Sequence, residues 1–171
     1  MLISSLGEII VCMYVLATDR GGHLHNALML VNQLDTQPQA IVTTYGPDID
    51  SVRNRFKKAE VISVPHLFTW LGKKRLLNPF KMIAQFFVTF IHVLRIRPTA
   101  VISLGGTNVV FFCYWARLLG AKIYHVECMN QVVSRSITGR MLYPICEKLY
   151  VQWEDLLPKY GPKAQYAGWV L

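Results

Sequence analysis

Short continuous apolar runs alternate along this chain with segments whose apolar residues recur every three or four positions. Residues 9–17 form one such run, as a strand buried on both faces requires. The turn Thr18-Asp19-Arg20-Gly21-Gly22-His23 follows, and Leu24, Ala27, Leu28, Val31 and Leu34 then recur at helical spacing. Residues 40–44 and 60–64 read as the next strands. Between them lie the turn Tyr45-Gly46-Pro47-Asp48 and a short basic helix over 50–58. Further strands are expected over 99–104, 121–126, 148–152 and 164–168, with a nearly all-apolar helix over 109–119. Helical starts follow near Thr138 and Trp153. Strands alternating with helices in this way predict an α/β fold, a Rossmann-like doubly wound parallel sheet in a single domain over 1–171.

The alternation breaks over residues 66–77, expected as a loop in which aromatic residues sit beside three consecutive cations. Asn78 then suits an N-cap and Pro79 the first position of a helix reaching about Arg95. Lys81, Gln85, Thr89 and His92 form one narrow polar stripe on that helix, and the rest is apolar. A helix lying on one side of a sheet needs an apolar face only somewhat wider than about 100°. This helix is therefore sandwiched between two layers, or its outer surface enters lipid or a partner. Residues 66–95 are the candidate membrane-docking element, with Trp70, Lys73, Lys74, Arg75, Phe80 and Phe87 as its contacts. An ordinary surface loop with a charged tip is the plain alternative for 66–77.

Composition sharpens this picture. The chain is 53% apolar and 16% charged, and its mean hydropathy is +0.31. Something beyond the core calls for cover. A net charge of +8 points to an anionic partner. The cations fall in small clusters rather than a stripe with interleaved aromatics, so anionic lipid ranks above nucleic acid. Cys12, Cys113, Cys128 and Cys146 make no C-x-x-C pair, which suits a reducing compartment. No Lys or Arg precedes the first apolar run, against a secretory signal. The chain is expected on the cytoplasmic face of the membrane, attached peripherally.

A second glycine turn, Gly105-Gly106-Thr107-Asn108, follows the strand over 99–104. Both glycine turns would lie at the carboxyl ends of parallel strands, where such sheets bind ligands. Neither has the G-x-G-x-x-G spacing or a P-loop lysine, so a standard dinucleotide or ATP site is not expected. His23 at a helix mouth is a catalytic or phosphate-contacting candidate, with capping as the alternative. Glu127, just after a strand, would bind an acceptor hydroxyl or cap a neighbouring loop. The loop carrying Ser136, Thr138 and Arg140 would hold a pyrophosphate or serve as a solvated connector. His23 and His25 fall on different sides of a helix, so no metal site is expected.

Several segments together resemble a known family: Arg20-Gly21-Gly22-His23, residues 97–106, residues 118–124 with Glu127, residues 136–140, Leu142-Tyr143-Pro144 and Val151-Gln152-Trp153-Glu154. The chain resembles the acceptor-side, membrane-associating subunit of two-chain N-acetylglucosaminyltransferases. That subunit serves dolichol-linked oligosaccharide synthesis, and bacterial relatives serve capsule and exopolysaccharide synthesis. The resemblance implies the N-terminal half of a GT-B glycosyltransferase. The UDP-sugar donor would bind mainly a separate catalytic subunit, with no cofactor held by this chain alone. It also implies that Arg20, Gly21, Gly22, Gly105, Gly106 and Thr107 face a polyprenyl-diphosphate-linked sugar acceptor. His23 and Glu127 would be the catalytic candidates, and Gln152, Trp153 and Glu154 would meet the partner. The eukaryotic subunit carries an N-terminal membrane helix; none is expected here, which would favour a bacterial-type member. The rival readings are a non-catalytic membrane scaffold that activates the partner and, further off, a basic nucleic-acid-binding domain.

Overall fold

The computed structural model describes residues 13–34, 36–71 and 74–169. Residues 9–12 of the expected first strand lie outside the described residues, as does Lys73, and the side chains of Trp70 and Arg75 are likewise not described. The chain runs β1 (Tyr14–Thr18), α1 (Gly22–Asn32), β2 (Ala40–Thr44), α2 (Ile49–Arg55), β3 (Glu60–Val64), β4 (Phe68–Leu71), β5 (Lys74–Leu77) and α3 (Pro79–Ile96). It continues through β6 (Ala100–Leu104), α4 (Val110–Leu118), β7 (Lys122–Val126), α5 (Ile137–Leu142), β8 (Lys148–Val151), α6 (Leu157–Tyr160) and β9 (Ala164–Tyr166).

Seven strands form one parallel sheet in the order β3-β2-β1-β6-β7-β8-β9. The order reverses between β1 and β6, whose ends are level because Thr18 pairs with Leu104. Both glycine turns leave the sheet at this switch point, where open α/β sheets carry their ligand crevice. Side chains alternate between two cores, as the pleat dictates. Leu16, Ile41 and Ile102 pack with Leu24, Ala27 and Leu30 of α1, and Val15, Val101 and Ile123 pack with Phe112 and Ala116 of α4.

Within the expected loop, residues 68–71 and 74–77 are strands instead. β4 and β5 pair as an antiparallel hairpin, set apart from the main sheet. Asn78 joins that hairpin to the next helix. Its Oδ1 accepts from Lys81 N at 3.2 Å, capping α3, and its Nδ2 donates to Thr69 Oγ1 at 3.0 Å.

α3 lies on the sheet with the usual amphipathic sense inverted. Its buried residues are Gln85, Thr89, Val93 and Ile96. Phe80 is 81% exposed, and Ile83, Phe87 and Ile91 are also exposed. The reason is tertiary: the Pro65 and Asn108 carbonyls, 20 and 23 residues from Gln85 in the chain, need donors. Gln85 Nε2 donates to both at 2.7 Å, and Thr89 Oγ1 donates to the Gln85 carbonyl at 2.7 Å. α3 also packs along α4, where Phe86 and Phe90 meet Trp115 at ring separations of 4.7 and 4.6 Å. Part of the polar stripe therefore faces the protein and the apolar majority faces outward. α3 is also long and apolar enough, by length and composition, to cross a membrane.

Candidate active site

The site is built around Asp19, the residue that follows β1. Thr18 Oγ1 donates to the Leu104 carbonyl at 2.7 Å and holds the ends of β1 and β6 together. Asp19 Oδ1 accepts from Thr44 Oγ1 at 2.6 Å and from Arg20 N at 2.9 Å. Its Oδ2 accepts from Asn108 Nδ2 at 2.5 Å. Asn108, fully buried, also accepts from Leu67 N at 2.8 Å and, through its carbonyl, from Gln85. One chain of hydrogen bonds thus runs from the inner face of α3 to the carboxylate at the switch point.

His23 Nδ1 lies 3.1 Å from Cys128 Sγ, and both side chains rest against Gly105. A Cβ at Gly105 would stand 2.3 Å from His23 Nδ1 and 2.6 Å from Cys128 Sγ; one at Gly106 would stand 2.2 Å from Asp19 Cβ. Both glycines also have left-handed φ values, 62° and 80°. Burial, with the Glu127 charge adding to it, pushes the Cys128 thiol up to about 12. At neutral pH the partner of His23 is therefore a thiol, not a thiolate.

These residues open on a cleft of ≈ 450 Å³. Asp19 and His23 form one wall, Gly105, Gly106 and Thr107 the floor, and Arg135, Ser136 and Thr138 the far wall. Of the expected acceptor residues, Arg20 instead borders an adjoining cavity that shares Asp19 and His23. Gly21 lies on a groove between α1 and α2, and Gly22 borders a small cavity beside His23 and Asn26. Arg140 is exposed and donates to the Arg135 carbonyl at 3.4 Å, away from the cleft lining.

Glu127 takes the loop-capping alternative. It is fully buried, and its carboxylate accepts from Ser136 N and Ser136 Oγ, both at 2.8 Å, and from Tyr160 Oη at 2.5 Å. His125 Nε2 is 3.3 Å away. Burial alone would raise its pKa; the contacts from His125, Tyr160 and Ser136 outweigh this and hold it down at about 2. Ser136 Oγ also accepts from Gly139 N at 2.8 Å, capping α5. Tyr160 fits beneath because a Cβ at Gly139 would stand 2.1 Å from its hydroxyl. Glu127 thereby shapes the far wall of the cleft without lining it.

Gln152, expected at a partner surface, is buried: its Nε2 donates to the Glu127 carbonyl at 2.9 Å. Trp153 is half-buried, its ring 4.8 Å from that of Trp169 and tilted 59° to it, and Glu154 is exposed. Sequence reasoning missed Asp19, Asn108 and Cys128. Asp19 carried a readable signal, a carboxylate at the carboxyl end of a strand just before a glycine turn. Asn108 and Cys128 carried none, because their partners are distant in sequence. Among the described residues no group of three His, Cys, Asp or Glu side chains is placed to hold a metal.

A family profile described as "Oligosaccharide biosynthesis protein Alg14 like" matches residues 12–170. The UDP-N-acetylglucosamine transferase subunit alg14 of Schizosaccharomyces pombe is 30% identical over 168 residues, 86% of this chain and 78% of that protein. The Candida albicans subunit ALG14 is 27% identical, over 92% of this chain and 77% of its own length. Among solved structures, Acinetobacter baumannii MurG superposes with a TM-score of 0.70 at 20% identity, over 90% of this chain and 45% of MurG. UDP-GlcNAc 2-epimerase from Methanocaldococcus jannaschii gives 0.61 at 15% identity, over 92% and 45%. The chain spans just under half of each of these structures, and the likeness establishes the fold, a GT-B N-terminal-type domain. The profile match over nearly the whole chain and the agreement with curated relatives place the chain in the Alg14 family.

Proposed function

We propose that this chain is the acceptor-side subunit of a two-component UDP-N-acetylglucosamine transferase. It docks on a membrane surface and presents a lipid-diphosphate-linked sugar to a partner that holds the UDP-sugar. One observation carries this reading: the cavity adjoining the His23 cleft is walled by β4 and by Lys81 in the first turn of α3, the helix whose outward face is apolar. A water-soluble acceptor would need no such neighbour, whereas a lipid-linked one must approach from an apolar layer.

Glycosyl transfer to a hydroxyl needs a base at that hydroxyl and positive potential near developing negative charge. His23 is the base in this reading. In the tautomer whose Nδ1–H faces Cys128 Sγ, the Nε2 lone pair is the one that takes the acceptor proton. Asp19, with both oxygens engaged by Thr44, Asn108 and the Arg20 amide, is held rigid enough to orient a sugar hydroxyl. The partner supplies the UDP-sugar site.

The test is transfer by the reconstituted pair. His23→Ala is expected to lower turnover by about 100-fold or more, the usual scale for a general base, while partner binding and thermal unfolding stay unchanged. Wild-type turnover would remove His23 from the chemistry. A non-catalytic scaffold is the second reading, favoured by Gly105, Gly106 and Glu127, whose identities are fully explained by contacts inside the chain. A scaffold would tolerate Asp19→Asn and His23→Ala together.

A further inference from the structure

The cavity beside the main cleft measures ≈ 440 Å³ and is lined by Asp19, Arg20, His23, His66, Phe68, Thr69 and Lys81. Its two cations, Arg20 and Lys81, come from the first glycine turn and the first turn of α3, and His66 joins them from the segment after Pro65. Arg20 Nη1 donates to the Tyr45 carbonyl at 3.2 Å, and His66 Nε2 lies 3.3 Å from the same oxygen. Lys81 Nζ donates to the Phe68 carbonyl at 3.4 Å. Among the described residues neither Arg20 nor Lys81 is paired with a carboxylate. Asp19 is the carboxylate in the cavity wall, and its oxygens are already engaged by Thr44, Asn108 and the Arg20 amide. Thr69 Oγ1 accepts from Asn78, so its own hydrogen is free to donate.

Cations that rest on backbone carbonyls, around a hydroxyl with a free hydrogen, suit a multivalent oxyanion. The surroundings define which one. Phe68 and Thr69 of β4 form part of the cavity wall, and Leu76 and Leu77 of the paired β5 and Phe80 of α3 are exposed. The far wall of the main cleft suits an oxyanion less well: Arg135 lies over the Tyr160 ring at 5.8 Å, and the Ser136 side chain is committed to Glu127 and Gly139.

We propose that this cavity is the diphosphate subsite for a lipid-linked acceptor. Arg20, Lys81, His66 and Thr69 hold the two phosphates, and the sugar passes Asp19 and His23 into the larger cleft. The proposal rests on the acceptor-side reading above and moves the phosphate contacts from the 136–140 loop to the hairpin side. The lipid then leaves over the exposed residues of β5 and α3.

Inorganic pyrophosphate is titrated into the full chain in neutral detergent micelles, and side-chain resonances are followed by NMR. Saturable shifts at Arg20, His66 and Lys81 are expected. Lys81→Ala is expected to raise the half-saturating concentration about tenfold or more, as loss of a charge-assisted hydrogen bond does, while Lys81→Arg retains most of the affinity. Lys122→Ala, a surface change elsewhere, is expected to match the wild type. Phosphatidylcholine vesicles carrying polyprenyl diphosphate or, at equal charge, phosphatidylglycerol separate a lipid diphosphate from surface charge, and Lys81→Ala is expected to weaken only the former. Equal weakening on both vesicles, or saturable shifts at Arg135, Ser136 and Thr138 instead, overturns the subsite while leaving the acceptor-side reading standing. No saturable shift anywhere also overturns the subsite. If the wild type in addition shows no preference for polyprenyl-diphosphate vesicles, the acceptor-side reading falls with it.

Discussion

His23 Nδ1 and Cys128 Sγ meet 3.1 Å apart across a chain separation of 105 residues, and Gly105 is the surface on which they meet. Three segments thus share one contact: the first glycine turn, the second glycine turn and the residue after β7 and Glu127. The contact fixes the histidine ring at the junction of the two cavities.

Gly105→Ala is expected to be far more damaging than Gly22→Ala. At Gly105 a Cβ meets both partners and the backbone has φ +62°, whereas at Gly22 the added Cβ meets nothing within 4 Å beyond its chain neighbours and its own helix backbone. Left-handed backbone alone costs a non-glycine residue about 1–3 kcal/mol, and displacing His23 adds to that. Urea unfolding of the two variants measures the difference. Gly22→Ala is expected within about 0.5 kcal/mol of wild type, as for an uncrowded surface position.

Glu127 makes stability acid-sensitive. Its folded-state pKa is depressed to about 2 from an ordinary 4.5, so its contribution is fully present above pH 4.5 and is lost as pH falls through that window. Glu127→Gln keeps the shape and loses the charge. It is expected to destabilise the neutral protein by about 1–3 kcal/mol and to flatten the stability profile between those pH values. Unfolding free energies measured across that range check both signs.

The two faces of α3 are expected to answer oppositely to substitution. Gln85→Leu leaves the Pro65 and Asn108 carbonyls without their shared donor, at a cost of about 1–3 kcal/mol. It also frees Asn108, and with it Asp19, so transfer should fall. Phe80→Asp with Phe87→Asp touches exposed rings and should leave unfolding unchanged. Co-sedimentation with anionic vesicles should fall sharply for that pair, because apolar burial and cationic attraction act together at the surface. Unimpaired co-sedimentation would remove α3 from the docking surface.

Most of the fold was legible because it rests on local periodicity. The runs 40–44, 60–64 and 99–104 are strands within a residue of where their apolar pattern puts them, and Asn78-Pro79 starts α3 as its capping chemistry requires. The paired glycine turns placed His23, Gly105, Gly106 and Thr107 at one sheet edge, and Ser136 and Thr138 close the cleft opposite them. Local pattern was silent on β4 and β5: each is a four-residue strand, and the pair stands clear of the main sheet.

What the sequence determined by itself is the order of the elements, the two glycine turns and the existence on α3 of one narrow polar and one broad apolar face. Tertiary structure decided which face turned inward, because that depends on two carbonyls, at Pro65 and Asn108, that only the folded chain brings to Gln85. It also decided between the two roles open to Glu127, acceptor contact or loop cap, by making it a buried brace whose partners Ser136 and Tyr160 arrive from segments 9 and 33 residues away. Periodicity reports that a face exists; which neighbour covers it depends on contacts made across the chain.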